Sequence, residues 1–594
     1  MMNYCIIGGY LLVSVLVGIV AARRNENTES YLLGSRRMPF LAVGLSAMMT
    51  LCSSVSLVNM PGEVYNNGIT LFFLGLIVMP VMQIVAYMLF VRFYFKLGSF
   101  TPYEYLEYRY NSSVRALIAL CAFYERMIYL GMVLYATSRI FLAAYGWPPY
   151  FTILLACGVG LTYTVWGGMK AVIWTDVLQF CFFVIGIGLL LYNLFGSIHG
   201  GFFTAIQTAL DAGHGIPQFT EASFYSISPY VRLLFILLLW DMIMAPIQVA
   251  CSDQIHLQRL LSTRNWKEGL KSQLVCTVIS WCSRVILILI GLGLYTYYRQ
   301  NPDPALAKLG GDGALFRFIS TQLPDPVPAL FIAAMLAAIM STLSSGLNSM
   351  ATVYLKEIHA KFINRNMDDA KEMQVSRHAT FWIGVFAMVL GILINISGEW
   401  FSQSMAEVGV LFGLLGAATV PAFLLAVLTR RANVAMIWGY TFLTTGSYLG
   451  GSWWYAVSRP AEQAWLANPT LPFGGADKIS QVCWIVPVVC GLAMCAPWLV
   501  KTLRKTTGAK ALALLGLIWL GVAISTVQWY LFSNICIDDV PLARSFAFNL
   551  PVTFIGAFIV IWFCPVQPEE KYKGLTIATL GEPIAALAGK QGKQ

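Results

Sequence analysis

Long apolar stretches, separated by short polar connections, run through most of the chain. A helix needs about 20 apolar residues to cross the roughly 30 Å hydrocarbon core of a bilayer. Transmembrane β-strands instead alternate apolar and polar residues over about ten positions, and the stretches here do not alternate. The pattern therefore predicts an all-α polytopic membrane protein with about 15 transmembrane helices. The predicted segments are 5–22, 39–60, 69–95, 113–145, 149–166, 171–198, 230–252, 273–298, 328–350, 378–397, 400–428, 434–457, 480–500, 510–532 and 546–565.

The composition supports a membrane protein and excludes other classes. Of the 594 residues, 58% are hydrophobic and only 11% are charged, against about 25% charged in a typical soluble domain. A soluble globular protein cannot bury so much apolar surface, and disordered chains combine low hydrophobicity with high net charge. The 38 basic residues are spread over the connections and form no single block. We therefore expect the lipid bilayer as a partner and no nucleic acid.

The distribution of basic residues predicts the orientation in the membrane. Counted over alternate connections, 28 lysines and arginines lie on one side and 7 on the other. Cytoplasmic connections carry the excess of basic residues, so the N-terminus is predicted outside and the tail in the cytoplasm. The first segment has no basic leader and is followed at once by Arg23 and Arg24, so we expect a retained helix and not a cleaved signal peptide. The expected location is the plasma (cell inner) membrane.

Seven ionisable residues lie well inside the predicted membrane segments, away from the segment ends. Such residues cost several kcal/mol in hydrocarbon, so they mark functional sites or pair with one another between helices. Glu125 and Arg126 are neighbours in the sequence. Their side chains point about 100° apart on a helix, and each needs its own partner. The seven residues are Glu125, Arg126, Arg139, Asp176, Asp241, Arg284 and Glu407.

The most informative stretch is 331–349, which is rich in small and hydroxyl residues. Positions spaced i, i+3, i+4 and i+7 share one helical face, and here they are Ala338, Ser341, Thr342 and Ser345. Hydroxyl and carbonyl oxygens are suitable ligands for a hard cation such as Na⁺. The same pattern suits a packing seam, in which small residues let two helices approach closely. Composition alone leaves both interpretations open.

A lone carboxylate follows a predicted turn. Gly167 and Gly168 are expected to connect two spans, and Asp176 then lies a few residues inside the second span. That carboxylate either completes an oxygen cage around a cation or caps a neighbouring helix end at the interface.

Two spans are predicted to be interrupted. The run 50–56, Thr-Leu-Cys-Ser-Ser-Val-Ser, is rich in side chains that compete for backbone hydrogen bonds. In the segment 230–252, Pro246 is expected to break the helix after Ala245. Broken membrane helices are tolerated where the freed backbone lines a cavity. Matching breaks in two halves indicate the midplane site of an inverted-repeat transporter.

Four motifs occur in order along the chain. They are Lys96-Leu-Gly98 with Thr101-Pro-Tyr-Glu-Tyr-Leu-Glu-Tyr-Arg109, then Gly167–Gln179, Asp253–Arg259 and Ser341–Ser349. Together with the spans between them, these motifs resemble the sodium/solute symporter family, which includes sodium-coupled sugar, iodide, vitamin, monocarboxylate, proline and sialic acid transporters. The resemblance covers roughly 5–430, and the stretches 61–65 and 351–353 are most similar to the iodide and monocarboxylate branch.

The resemblance implies the leucine-transporter type of fold. In this fold a five-plus-five inverted repeat has one extra helix before it and several after it. The implied organisation is an extra helix and cytoplasmic loop at 1–38, repeat 1 at 39–198, an extracellular loop at 199–229, repeat 2 at 230–432, additional helices at 433–565 and a cytoplasmic tail at 566–594. The protein is expected to function as a monomer.

The resemblance also implies two sodium sites, with Na⁺ as the coupling ion and no organic cofactor. The residues that match the first site are Met49 and Cys52, through their backbone carbonyls, with Ala338, Ser341 and Thr342. The residues that match the second site are Asp176, Ser341, Thr342, Ser344 and Ser345. This match favours ion binding over a packing seam for the stretch 331–349.

The substrate side departs from the better-known members of the family. The acidic residue of the sugar carriers is replaced around Leu74-Gly75, and their aromatic inner gate is replaced by Gln-Val-Ala-Cys at 248–251. Arg126 matches the arginine with which sialic acid carriers bind a carboxylate, and pairing of Arg126 with Asp241 or Glu407 is the alternative. The residues implied at the substrate site are Ser53, Ser56, Leu71, Gly75, Arg126 and Asp241.

The predicted function is a sodium-coupled secondary active symporter that imports a small organic solute by alternating access. The solute is a carboxylate, a sugar acid or a sugar. A proton-coupled or uncoupled carrier of the same fold is one alternative, and the intact hydroxyl set argues against it. A solute-sensing membrane receptor is another, and it would need an output domain. An enzyme is not expected, because the 13 cysteines lack metal-ligand spacing and His256 and His359 are isolated.

Overall fold

The computed structural model describes residues 2–22, 27–215, 235–304, 306–396, 419–441, 561 and 564–584. Every regular element in these ranges is helical, which confirms the predicted all-α class. The helices are α1 Met2–Ala22, α2 Thr28–Leu33, α3 Phe40–Leu51, α4 Ser54–Asn67, α5 Thr70–Leu97, α6 Tyr103–Arg109, α7 Ser112–Tyr145, α8 Pro149–Gly196, α9 Gly201–Ala209, α10 Phe235–Cys251, α11 Gln254–Leu261, α12 Trp266–Gln300, α13 Leu306–Gln322, α14 Val327–Val353, α15 Asp369–Ile396 and α16 Thr419–Leu428. Shorter helical turns are Gly34–Arg36, Leu210–His214, Tyr354–Ile363, Glu569–Tyr572 and Ile577–Thr579.

Seven helices in the described part are long and apolar enough to cross a membrane. They are Cys5–Ala22, Phe72–Leu97, Ser112–Leu142, Pro149–Gly196, Trp266–Gln300, Val327–Ile363 and Asp369–Ile396. A bent pair, Phe40–Leu51 with Ser56–Asn67, makes an eighth span if it crosses as one. These helices confirm the multi-span membrane class. The predicted segments 480–500 and 510–532, with most of 400–428, 434–457 and 546–565, lie outside the described residues.

The first predicted interruption, in the run 50–56, is confirmed. α3 ends at Leu51, and Cys52 leaves the helical conformation with φ −91° and ψ 89°. α4 then starts after Ser53, whose hydroxyl accepts a hydrogen bond from the Ser56 amide at 3.2 Å. A serine at this N-cap position satisfies one of the amides that the start of a helix leaves without a partner. The axes of the two helices differ by 58°.

The second predicted interruption, at Pro246, is wrong. α10 continues through Pro246 to Cys251. Proline removes one backbone hydrogen bond, but membrane helices tolerate this loss when neighbouring groups satisfy the freed carbonyl. The chain leaves the helix only after Cys251. There the Asp253 carboxylate caps α11 by accepting a hydrogen bond from the Ile255 amide at 2.9 Å.

α8 contains a chain reversal and consists of two arms, 149–167 and 169–196. Gly168, between them, has φ 55° and ψ −149°, a conformation that glycine adopts far more readily than other residues. The Gln179 side-chain amide donates to the Tyr163 hydroxyl at 3.4 Å, whereas 16 residues of straight helix would place them about 24 Å apart. The two arms therefore lie side by side, which confirms the predicted turn.

The first of two compact units contains most of the described spans. It comprises Met1–Thr101, Arg126–Phe219 and Asp253–Gly398. Its centre is α14, nearly all of whose residues are shielded from solvent, and α14 packs against α1, α3, α8 and α15. Small residues such as Ala333, Ala337 and Gly346 are frequent on α14, and they let neighbouring backbones approach closely.

The second unit comprises Pro102–Glu125, Thr220–Ser252 and Glu399–Gln594. Within its described part, α16 packs against α6 and α10. Arg109 of α6 is fully buried and caps the end of α16. It donates hydrogen bonds to the carbonyls of Ala426, Thr429 and Ala432 at 3.1, 2.7 and 3.3 Å. A guanidinium suits this position because it supplies several donors and a positive charge at the negative end of the helix dipole.

Candidate functional site

A cluster of buried polar side chains lies inside the first unit, where four helices meet. It consists of Ser46 of α3, Asp176 of the second arm of α8, Arg259 of α11, and Ser341 and Ser345 of α14, and we name it the Asp176 cluster. All five residues are at most 1% exposed. Because buried polar groups are nearly always hydrogen-bonded, the atoms of this cluster that lack a bond are as informative as those that have one.

The Asp176 carboxylate is bound on one side only. Its Oδ2 atom accepts hydrogen bonds from Ser46 Oγ at 2.5 Å and from Arg259 Nη2 at 3.0 Å. Its Oδ1 atom is buried and has no hydrogen-bond partner in the described part of the chain. Ser341 Oγ is also buried and makes no hydrogen bond of standard geometry, but it lies next to the carboxylate. The partners are side chains, so the alternative in which Asp176 caps a helix end is wrong.

Arg259 supplies the positive charge of the cluster, although its position in the sequence predicts only a basic residue of a cytoplasmic connection. Its Nε donates to Ser46 Oγ at 2.7 Å, and its Nη1 donates to the Ile255 carbonyl at 3.2 Å. Its Nη2 also donates to Ser345 Oγ. Every residue of α11 is buried, so this short helix carries Arg259 into the protein interior. The motif 253–259 was the one signal in the sequence that pointed to it.

The hydroxyl face predicted on α14 is turned inward. Ser341, Thr342 and Ser345 are at most 1% exposed, so this face does not contact lipid. Thr342 Oγ1 donates to the Ala338 carbonyl at 3.0 Å, and Ser344 Oγ donates to the Ser341 carbonyl at 3.2 Å. Each of these bonds uses the hydroxyl hydrogen and leaves oxygen lone pairs available to a cation.

The broken end of α3 packs against α14, as the predicted first sodium site requires. Thr50 Oγ1 and Ser345 Oγ are 3.1 Å apart. The last backbone hydrogen bond of α3 runs from the Cys52 amide to the Met48 carbonyl at 3.1 Å. Carbonyls after that point have no partner within the helix. Met49 and Cys52 are both buried, and the convergence of their carbonyls on one ion with residues of α14 stays a prediction.

The chemistry of these groups suits Na⁺ better than a transition metal. The available ligands are a carboxylate, hydroxyls and backbone carbonyls, which are the hard oxygen ligands that alkali and alkaline-earth cations prefer. Across the described ranges, no group of three His, Cys, Asp or Glu side chains could hold a metal ion. A buried acceptor without a partner is costly. A cation between Asp176 Oδ1 and Ser341 Oγ would remove that cost.

Arg126, a predicted substrate residue, is bound to Asp253 in the first unit. Its Nη2 lies 2.8 Å from Asp253 Oδ2, and its guanidinium lies over the Tyr129 ring at 5.2 Å. Burial is the largest single influence on the pKa of Asp253 and raises it. The charges of Arg126 and His256 and the hydrogen bonds from Ile255 and Arg126 together outweigh burial, so the pKa lies below its usual value. The Asp241 side chain and all of Glu407 lie outside the described residues, so pairing with either stays a prediction.

Glu125, the sequence neighbour of Arg126, has a different partner. Its Oε1 accepts a hydrogen bond from Gln248 Nε2 at 3.2 Å within the second unit. This agrees with the expectation that the two neighbours point in different directions on α7.

The other predicted substrate residues are placed only in part. Ser53 and Ser56 lie together at the start of α4, with their Oγ atoms 3.1 Å apart. Gly75 is buried on α5. The Leu71 and Asp241 side chains lie outside the described residues. A common substrate site for these residues stays a prediction.

Comparison with known proteins is consistent with this geometry. The model of the sodium:solute symporter family matches residues 31–439. The chain is 27% identical over 431 residues to the sodium/sialic acid symporter SiaT of Proteus mirabilis, covering 73% of this chain and 85% of that protein. It is 28% identical over 442 residues to the sodium-dependent multivitamin transporter of Oryctolagus cuniculus, covering 73% and 67%. A substrate-bound, outward-open structure of a Na⁺-coupled sialic acid symporter is similar, with a TM-score of 0.68, 25% identity and coverage of 75% of this chain and 91% of that one.

Proposed function

The chain belongs to the sodium:solute symporter family, and we propose that it is a secondary active symporter that imports a small organic solute together with Na⁺ by alternating access. The observation that carries the proposal is the Asp176 cluster beside the broken α3. There the buried hydroxyl face of α14 meets a half-bound carboxylate. Buried oxygen atoms that still have free lone pairs are suited to bind an alkali cation that has lost its water.

Two sodium sites are proposed on α14. The first combines the Met49 and Cys52 carbonyls with Ala338, Ser341 and Thr342. The second combines Asp176 with Ser341, Thr342, Ser344 and Ser345. Na⁺ in the first site would join the end of α3 to α14 and favour the conformation in which those helices pack together, because a ligand stabilises the state that it binds more tightly.

The driving force of one ion is sufficient for strong accumulation. A Na⁺ entering across 100 mV releases about 2.3 kcal/mol, and a tenfold concentration gradient adds roughly 1.4 kcal/mol. One Na⁺ therefore supports on the order of 500-fold accumulation of a neutral solute, and a second Na⁺ multiplies that limit.

The proposed solute carries a carboxylate, as a sugar acid or a small organic acid does. Support comes from the names of similar proteins, which include sodium/sialic acid symporters, and from Arg126, whose side chain is 21% exposed. The planar guanidinium can bind carboxylates through more than one pair of donors. A solute carboxylate at Arg126 would share it with Asp253 or displace Asp253.

The proposed architecture follows the same family. Residues 39–198 and 230–432 would form the two inverted repeats, with the helix of 1–38 before them, the loop 199–229 between them, and 433–565 and the tail 566–594 after them. The break after α3 supports a site at the first helix of repeat 1. The proposal places the protein in the plasma membrane as a functional monomer.

Uptake by proteoliposomes tests the coupling. Purified full-length protein is reconstituted, and uptake of radiolabelled sialic acid, a short monocarboxylate and glucose is measured under an inward Na⁺ gradient. We expect accumulation of a carboxylate-bearing solute, and its loss when choline replaces Na⁺. Equal uptake in choline would refute sodium coupling. Uptake driven by a pH gradient in choline would favour the proton-coupled alternative, and the absence of net uptake under every gradient would favour a receptor.

A further inference from the structure

Arg259 bonds to two groups that the proposed second sodium site also uses. Its Nη2 donates to Asp176 Oδ2 and to Ser345 Oγ, and the whole side chain is shielded from solvent. A lone pair that accepts a hydrogen bond from the guanidinium cannot coordinate Na⁺ at the same time. The Arg259 guanidinium and a Na⁺ in the second site would therefore need some of the same oxygen atoms.

The charges of the Asp176 cluster lead to the same conclusion. Asp176 contributes one negative charge, and the Arg259 guanidinium neutralises it at 3.0 Å. A Na⁺ bound to the Oδ1 atom, which has no hydrogen bond, would be close to that guanidinium. The two positive charges would repel each other in an interior where charges are weakly screened. Na⁺ bound to the cluster therefore weakens the Asp176–Arg259 ion pair. Because coupling between two ligands of one site is reciprocal, the ion pair also weakens the binding of Na⁺.

The helix that carries Arg259 also reaches Arg126. α11 has 8 residues, its N-cap Asp253 binds Arg126 at 2.8 Å, and Arg259 lies in its last turn. A shift of Arg259 away from Asp176 would therefore move the helix whose N-cap residue holds Arg126. This connection would let the ion site influence the proposed solute-binding arginine through a single short element.

We propose that Arg259 is a tethered counter-cation that competes with Na⁺ for Asp176 and Ser345 and thereby assists the release of Na⁺ from the second site. This inference rests on the proposed function, because it requires that the second site binds Na⁺. A different role, in which Arg259 only orients Asp176, predicts the opposite effect on sodium affinity. An orienting residue strengthens the site when present, whereas a competitor weakens it.

Sodium binding to the detergent-solubilised full-length protein distinguishes the two roles. The dissociation constant is measured with radioactive sodium and, independently, from the melting temperature as a function of NaCl, with choline chloride keeping the ionic strength constant. The test variant is Arg259→Gln. The matched control is Arg264→Gln, which removes a charge at an exposed position of the same connection. We expect the sodium dissociation constant to fall on the order of tenfold in Arg259→Gln and to stay at the wild-type value in Arg264→Gln.

Each result has a definite meaning. An unchanged or raised sodium dissociation constant in Arg259→Gln overturns the competition. If Arg259→Gln can be purified as a folded protein only in high NaCl, this result supports the competition, because Na⁺ then replaces the missing charge beside Asp176. If Arg259→Gln is not recovered under any condition, the neutral variant Arg259→Met, whose long side chain fills more of the space of the arginine, takes its place: a lowered dissociation constant supports competition, and an unchanged or raised one overturns it. A wild-type protein that binds no Na⁺ would instead refute the proposed function.

Discussion

The Asp176 carboxylate and the Arg259 guanidinium form an ion pair at 3.0 Å, and both side chains are completely shielded from solvent. The two residues come from the second arm of α8 and from α11, 83 positions apart in the sequence. A buried pair of this kind adds little stability compared with apolar residues, but the loss of one partner leaves an uncompensated charge in the interior. One oxygen of the carboxylate has no hydrogen bond, which is consistent with the proposed role of Asp176 in binding Na⁺.

Asp176→Asn is expected to destabilise the protein and remove the second sodium site. The buried Arg259 charge would lose its partner, at a cost of about 3–5 kcal/mol in the free energy of unfolding. The measurement is the melting temperature with and without NaCl. Asp303→Asn, which breaks a partly exposed ion pair with Arg317, is the matched control, and we expect a much smaller change from it. A melting temperature equal to wild type for Asp176→Asn would show that the ion pair is not buried as described.

The double variant Ser341→Ala with Thr342→Ala is expected to raise the sodium concentration needed for half-maximal uptake on the order of tenfold or more. Both hydroxyls belong to the inward face of α14, and the loss of about 1.4 kcal/mol of binding free energy already corresponds to a tenfold change. Ser349→Ala is the control, because Ser349 is buried on the same helix and bonds only back to the Ser345 carbonyl in the described hydrogen bonds. If both variants have the same sodium dependence, the hydroxyl face is a packing seam.

Gly168→Ala is expected to destabilise the turn between the two arms of α8. Its φ of 55° and ψ of −149° are unfavourable for a residue with a Cβ atom, and such strain costs about 1–3 kcal/mol. The Cβ atom would also collide with the Tyr31 carbonyl. The check is the melting temperature against Gly188→Ala, where a Cβ atom meets nothing within 4 Å. Equal melting temperatures of the two variants would contradict the conformation assigned to Gly168 in the turn.

Stability is expected to fall when the pH is lowered from about 6.5 to about 4. Burial lowers the pKa of His256 to about 4; the Asp253 charge opposes this shift, while Arg259 and Arg126 add to it. In that window the unfolded chain binds a proton that the folded protein excludes, so the contribution of His256 is complete above pH 6.5 and decreases by about 3 kcal/mol towards pH 4.

The variant His256→Gln checks this assignment, because glutamine does not titrate. The melting temperature is recorded between pH 4 and pH 8 for both proteins, with the exposed His199→Gln as control. We expect a flatter profile for His256→Gln and the wild-type profile for His199→Gln. A wild-type slope that persists in His256→Gln would assign the pH dependence to other groups.

Much of the helical framework could be predicted because it follows from local physics. Hydrocarbon spans require long apolar runs, so the segments up to residue 397 were visible as runs. The break near Cys52 and the turn at Gly168 follow from side chains and backbone freedom at those positions. The predicted break at Pro246 was wrong. Whether a membrane helix tolerates a proline depends on the neighbouring helices, which the local sequence does not show.

The sequence by itself determined that the chain is a multi-span membrane protein, where α14 carries its hydroxyl face, and the family to which its motifs point. Only the tertiary structure decided which groups neutralise and bond one another: Arg259 against Asp176, and Arg126 against Asp253. The physical reason is that a span is set by residues close together in the chain, whereas an ion pair depends on the positions of distant helices. A charged residue in a short connection has no local pattern that distinguishes an exposed side chain from one packed into the interior.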